Sequence, residues 1–131
     1  MMTKMEKGLT QWHQMIADMD FSGLRDLLAE NVRFHSPVVW KPKEGREMVF
    51  NILRAAGTVL EGFTYHRQMT DGFSWTLEFS AHVGELSVKG VDIIRFNSDG
   101  KIEEFEVMVR PATGLQALGA AMAKQLSTQQ V

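Results

Sequence analysis

The chain has 131 residues, a length that suits one hydrophobic core, so we expect residues 1–131 to form a single domain. Charged residues make up 23% and the formal net charge is −2, which gives no basic surface for nucleic acid. The chain has no cysteine, no long apolar run and no signal-peptide core in Met1–Gly8; disulfides and cysteine-ligated metals are excluded, and a cytoplasmic protein with no membrane partner is expected.

The N-terminal half predicts three helices and one strand. Apolar residues at steps of three and four predict a helix over about residues 4–19, a short helix from Leu24, and a third helix over about residues 46–56 with Gly57 as its C-cap. Alternation over residues 32–36 predicts a strand that ends at Pro37, and residues 41–45 are expected to form a loop.

The C-terminal half changes to a period of two. Strands are predicted over about residues 63–69, 75–83, 88–96 and 102–109, with short turns between them, and a last helix over about residues 113–126. In the first of these strands, Phe63, Tyr65, Arg67 and Met69 are expected on one side. Because tight turns make neighbouring strands antiparallel, we predict an α+β fold whose apolar sheet face curves around the helices.

Asp92 is an acid within an apolar strand segment, residues 90–96. Four small or apolar residues share its side of the strand: Val88, Gly90, Ile94 and Phe96. A carboxyl group buried there must stay protonated or find a partner. Asp92 is therefore either a pocket group that hydrogen-bonds a ligand oxygen or a structural acid bound to a neighbouring donor.

The histidines and glycines do not follow the spacing of a metal, phosphate or dinucleotide site, so no metal or other cofactor is expected. His35 stands apart because its strand ends at Ser36-Pro37, where a bulge could turn the imidazole toward a pocket. The alternative is that His35 faces solvent or a helix. Ser36 and His35 do not form a nucleophile and base pair, since adjacent strand residues point to opposite faces.

The order of elements resembles the nuclear transport factor 2-like superfamily, which includes SnoaL-like proteins and ketosteroid isomerases. The segments that carry the resemblance are Asp20–Leu24, Phe34–Pro37, Gly45–Glu47, Gly90–Phe96 and Asp99–Ile102. The resemblance spans Leu9 to about Leu118. It implies a strongly curved, mostly antiparallel sheet that forms a cone around a deep pocket and the N-terminal helices, with a C-terminal helix. It also implies a homodimer formed through the outer sheet face.

The resemblance also assigns positions to the isomerase groups. Asp92 falls where the steroid isomerases hold a protonated aspartic acid in the oxyanion hole, Trp12 where they hold a tyrosine, and Ser36 where they hold the general-base aspartate. One of the three groups is thus retained. Tryptophan lacks the acidic hydroxyl of tyrosine, and serine at its usual pKa is a poor base.

These observations predict a pocket protein for a small apolar compound that carries a carbonyl or hydroxyl group. If it is an enzyme, acid–base chemistry as an isomerase, cyclase or dehydratase is expected, with Asp92 and His35 as the catalytic groups. The alternative is a non-catalytic binding or dimerisation scaffold of the same fold. The predicted pocket lining is Trp12, Ser36, Val38, Trp40, Leu53, Trp75, Leu77, Phe79, Phe105 and Val107. Whether the C-terminal helix closes the pocket or packs on a partner is left open.

Overall fold

The computed structural model describes residues 1–129, which form four helices and one six-stranded sheet. The elements are α1 (Lys4–Asp18), α2 (Leu24–Leu27), β1 (Leu28–His35), β2 (Lys43–Glu44), α3 (Arg46–Val59), β3 (Glu61–Thr70), β4 (Ser74–Val83), β5 (Leu86–Phe96), β6 (Ile102–Arg110) and α4 (Ala112–Gln129). The sheet order is β2-β1-β6-β5-β4-β3. The predicted α+β fold with a mostly antiparallel sheet and a C-terminal helix is confirmed.

Strands β3 to β6 pair antiparallel in chain order, as the predicted hairpins require. Strand β1 differs, because it lies parallel to β6 and makes the sheet mixed. The segment expected to be a loop contains β2, whose two residues pair with Arg33 and Phe34 of β1. A two-residue strand has no periodicity of its own, so only its partner defines it.

Helix α1 starts at a capping box, in which Thr3 and Glu6 each bind the backbone N–H of the other. Leu9 and Trp12 are buried on its inner face. The Trp12 indole meets the Phe105 ring of β6 edge-on, with the ring centroids 5.2 Å apart. The first helix is therefore packed against the sheet, with its one buried indole at the sheet centre.

Helix α3 continues through Gly57, which was expected to end it, to Val59. A Cβ atom at Gly57 would lie 2.7 Å from the Phe21 ring. The glycine therefore serves a close contact between α3 and the turn before α2, rather than a left-handed helix end.

Strand β3 contains two register shifts, one between Glu61 and Thr64 and one between Tyr65 and Gln68. Phe63 packs inward, stacked on Phe79 at 4.8 Å. After the second shift, Arg67 binds Glu78, while Gln68 contacts His13 of α1. The expected common face of Phe63, Tyr65, Arg67 and Met69 is therefore wrong beyond Tyr65, because a bulge changes the side that each later residue faces.

The core lies between one face of the sheet and helices α1, α3 and α4, and it includes Val32, Val49, Leu77, Ile94 and Ile102. Asp92 is only 5% exposed and faces this core, as its position among apolar residues predicts. No helix within residues 1–129 has the length and apolarity needed to cross a membrane.

Candidate functional site

A cavity of about 330 Å³ lies between the inner sheet face and helices α1, α3 and α4. Its wall is apolar except for Ser36, Lys43 and Asp92. Small-molecule sites in proteins occupy roughly 300–1,000 Å³ and combine an apolar lining with a few polar groups. The cavity has the size and composition of a site for one compact, mainly apolar molecule.

The cavity opens to solvent at Met19, Val38 and Val39, which line its wall and are exposed. Helix α4 supplies another side with Leu118, Met122, Ala123 and Leu126. Near the end of this helix, the Gln129 amide donates to the Asn51 side-chain oxygen of α3 at 2.8 Å. The C-terminal helix therefore packs over the cavity of its own chain.

Three elements bring a hydrogen-bonded chain to the cavity. The Trp12 Nε1–H of α1 donates to the Tyr65 hydroxyl of β3 at 2.9 Å. The Tyr65 hydroxyl donates to Asp92 Oδ2 of β5 at 2.5 Å. Indole N–H is a donor only and an ionised carboxylate is an acceptor only, so with Asp92 ionised the bonds run in one direction, from Trp12 through Tyr65 to Asp92.

Burial shifts the acid strength of both oxygen groups in this chain. Removal from water raises the pKa of Asp92 to about 7, against the opposing effect of the hydrogen bond from Tyr65. Burial, followed by the nearby Asp92 charge, raises the pKa of the Tyr65 hydroxyl well above its usual value. At neutral pH Asp92 therefore occurs both with and without its proton, while Tyr65 keeps its own.

Most of the residues predicted to line the pocket do line the cavity. They are Trp12, Ser36, Val38, Leu53, Phe79, Phe105 and Val107, together with Asp92. The Ser36 hydroxyl accepts from the backbone N–H groups of Val38 and Val39 at 3.0 and 3.3 Å. Ser36 thus stabilises the turn at the cavity mouth, because its hydroxyl oxygen accepts hydrogen bonds from the backbone.

Trp40, Trp75 and Leu77 lie away from the cavity. Trp40 is 97% exposed, because the loop after β1 carries it outward past Val39. Trp75 and Leu77 face inward as predicted, but they are 6% and 1% exposed within the packed core, where Trp75 meets Phe96 edge-on. Alternation selects the face of a strand and leaves open how far along that face a cavity extends.

His35 is also placed away from Asp92. Strand β1 keeps its register with β6 from Arg33 to His35, so no bulge turns the imidazole inward. His35 Nε2 lies 2.6 Å from Glu104 Oε2, and Arg33 approaches the other oxygen of the same carboxylate at 3.5 Å. We expected His35 and Asp92 to act together in one catalytic site. The structure does not bring them together, because the end of β1 is regular and His35 lies beside Glu104.

Tyr65 is the polar residue that the sequence reasoning missed. It is the only tyrosine in the chain, and it lies on the inward side of β3, two residues after Phe63. A lone tyrosine on the inward side of a strand needs a hydrogen-bond partner, which is a signal that the sequence did contain. Its partners Trp12 and Asp92 lie 53 and 27 residues away along the chain.

The chain belongs to the SnoaL-like domain family, whose model matches residues 9–105. Its structure is similar to the crystal structure of a steroid delta-isomerase from Pseudomonas aeruginosa, with 48% identity, a TM-score of 0.94, and coverage of 98% of this chain and 95% of that chain. The predicted resemblance to the nuclear transport factor 2-like and ketosteroid-isomerase-like proteins is thereby confirmed.

Two further solved structures are similar. One is an uncharacterized protein with a cystatin-like fold from Silicibacter pomeroyi, with 39% identity, a TM-score of 0.87, and coverage of 93% of this chain and 86% of that chain. The other is a putative ketosteroid isomerase from Kribbella flavida, with 19% identity, a TM-score of 0.67, and coverage of 83% and 79%, which shows the fold alone. A search of curated proteins found no match.

Proposed function

We propose that this protein binds a small, mostly apolar molecule bearing a carbonyl or hydroxyl oxygen, and that this oxygen lies at Asp92. The observation that carries the proposal is a single buried carboxyl group on the wall of a cavity of about 330 Å³ whose lining is otherwise apolar except for Ser36 and Lys43. Tyr65 binds Oδ2 of this carboxyl group, so a ligand without a polar group would leave Oδ1 unpaired, whereas a ligand oxygen would complete the hydrogen bonding.

A fluorescence titration tests the binding. The probe is a rigid polycyclic enone, compared with the hydrocarbon of the same shape, and Trp12 in the cavity wall is the reporter. A Trp40→Phe background removes the signal of the exposed indole. We expect the enone to bind more tightly than the hydrocarbon, and the preference to disappear in Asp92→Leu. Equal binding of both probes to the parent protein would contradict the role of Asp92.

A second pair of variants locates the bound probe. Ala123 is exposed and also lines the cavity, whereas its neighbour Lys124 is exposed and lies off the wall. Ala123→Trp should obstruct the cavity and weaken enone binding at least tenfold. Lys124→Trp adds the same side chain on the same helix and should leave binding unchanged. Equal effects of the two substitutions would place the probe elsewhere.

An isomerase acting on a carbonyl compound is the second candidate. It is favoured by the 48% identity to a protein described as a steroid delta-isomerase, and by an Asp92 that exchanges its proton near neutral pH. Along the cavity wall, within residues 1–129, Lys43 is the one other titratable side chain. A β,γ-unsaturated ketone tests this candidate, since isomerisation produces the absorbance of the conjugated enone. Binding without turnover would leave the non-catalytic scaffold as the function.

We also propose that the protein forms a homodimer through the outer sheet face, as the family resemblance implies. Val91 on β5 is paired with Met108 on β6 in the centre of that face, and Ile93 lies beside them on β5. Charged pairs surround this centre: Arg67 and Lys89 with Glu78, and Arg95 with Glu103. An apolar centre with a charged rim is the usual composition of a subunit interface.

A further inference from the structure

Lys43 is the only cationic residue on the cavity wall within residues 1–129. It belongs to β2, which pairs antiparallel with β1 and places Lys43 directly opposite Phe34. Residues that lie opposite each other on two antiparallel strands point to the same face of the sheet. Phe34 is only 5% exposed and lines the cavity. The strand pairing therefore turns Lys43 toward the inner face of the sheet.

The next residue of β2 points the other way. Glu44 lies opposite Arg33, and its carboxylate is 3.4 Å from the Arg33 guanidinium on the outer face of the sheet. The acid that follows Lys43 in the sequence is thus occupied elsewhere. Within residues 1–129, no carboxylate forms an ion pair with Lys43. The cavity wall consequently carries a cation without a protein counter-ion.

Lys43 stands at the rim of the cavity rather than at its floor. Like Val38 and Val39 at the cavity mouth, it is both exposed and part of the wall. A lysine in this setting lays its apolar stem along the wall and keeps its ammonium group in water. The empty protein therefore does not need a partner for this charge, but an anionic group at the mouth would find one there.

Asp92 and Lys43 lie on strands that are well separated in the sheet. The sheet order places β2 at one edge and β5 three strands away. Neighbouring strands are about 4.8 Å apart, so the two backbones are about 14 Å apart across the sheet. Both side chains point inward, which shortens the gap between their polar atoms. A rigid molecule of a few fused rings is long enough to reach from one group to the other.

We propose that the cavity selects an amphipathic organic acid, whose apolar body lies in the cavity with its oxygen at Asp92 and whose carboxylate lies at the mouth, paired with the ammonium group of Lys43. This inference rests on the proposed ligand binding and adds the chemical class of the ligand. The charges also fix the orientation, because a carboxylate buried beside Asp92 would have no cation to pair with.

The test compares three probes that share one polycyclic skeleton. They are the enone, the enone with a carboxylate on the ring farthest from the ketone, and the same compound with a carboxamide in place of the carboxylate. Trp12 fluorescence in the Trp40→Phe background reports each affinity. We expect the acid to bind about fivefold more tightly than the amide, as for a partly exposed ion pair.

A matched pair of variants assigns this preference to one lysine. Lys43→Met removes the charge and keeps an apolar side chain, so it should abolish the preference for the acid. Lys43→Arg keeps the charge and should retain the preference. Lys41 lies two residues away, is exposed and is not part of the cavity wall. Lys41→Met removes the same charge from the same loop and should leave the preference in place.

Two results would overturn the inference. One is a parent protein that binds the acid no more tightly than the amide. The other is a preference that survives in Lys43→Met, or that Lys41→Met removes as completely as Lys43→Met does. Binding of the plain enone would leave the proposed function intact in either case. A parent protein that binds none of the three probes would instead refute the proposed function, so the two failures are distinguishable.

Discussion

Two acids of the same sheet show how strongly the side of a strand decides the behaviour of a residue. Asp92 faces the apolar cavity, and burial raises its pKa to about 7. Glu78 of β4 faces the other side, and the hydrogen bond from Arg67 holds its pKa at about 2. The two side chains are on neighbouring strands, so the contrast comes from their partners rather than their position in the chain.

The raised pKa of Asp92 makes the free energy of unfolding depend on pH between 3.8 and about 7. The carboxyl group titrates near 3.8 in the unfolded chain and near 7 in the folded protein, so the folded state holds more protons between these values. Stability should therefore be highest near pH 4 and fall as the pH rises toward 7, by about 4 kcal/mol at most. Urea unfolding of the parent protein and Asp92→Asn at pH 4.5, 6 and 8 measures this.

The substitution should remove that loss. Asp92→Asn should be close to the parent in stability at pH 4.5 and more stable than the parent at pH 8, because the amide carries no charge to bury. Glu78 does not produce this loss, because its pKa is lowered to about 2. Its stabilising contribution is lost as the pH falls from about 4.5 toward 2, which is below the pH range of the measurement. A parent protein whose unfolding free energy is flat from pH 4.5 to 8 would show that Asp92 is better solvated than its burial indicates.

At the scale of the element, strand β5 approaches its neighbours so closely that Gly90 is required. A Cβ atom there would lie 2.2 Å from the Met108 carbonyl oxygen and 2.8 Å from the Phe79 ring. Because one obstacle is backbone, Gly90→Ala must displace a strand, and we expect a loss of about 1–3 kcal/mol in the free energy of unfolding. Chemical denaturation at fixed pH provides the measurement.

Helix α4 contains the matched opposite case. A Cβ atom at Gly119 would make ordinary contacts with the Val38 side chain, at 3.4 and 3.5 Å. Gly119→Ala should therefore stabilise the protein by about 1 kcal/mol, the difference in helix propensity between the two residues. The same chemical change should thus have opposite signs in β5 and α4. A destabilised Gly119→Ala variant would mean that the Val38 side chain, in the loop at the cavity mouth, cannot shift to accommodate the added methyl group of α4.

For the whole molecule, the outer sheet face makes the proposed dimer testable. Val91→Lys would place a charge in the apolar centre formed with Met108 and Ile93, so it should give a monomer. Thr64→Lys adds the same charge on the edge strand β3 and should leave the dimer intact. Light scattering after gel filtration distinguishes the two masses. A monomeric parent protein at high concentration would refute the dimer.

The elements and the candidate site were predictable to different degrees. The hairpins from β3 to β6 and the inward side of Asp92 follow from local alternation, which is a property of a few consecutive residues. The inward position of Tyr65 was equally readable, but its link to Trp12 and Asp92 was not. Such links depend on how α1 crosses the sheet, and no short segment encodes that.

By itself the sequence determined where the helices and hairpins lie, which face Asp92 occupies and which family resemblance the chain carries. Only the tertiary structure decided that β1 lies parallel to β6, that His35 faces Glu104, that Trp40 is outside, and that α4 covers the cavity. The physical reason is that periodicity records the side on which a residue faces. Depth and hydrogen-bond partners are set by packing between segments that are distant along the chain.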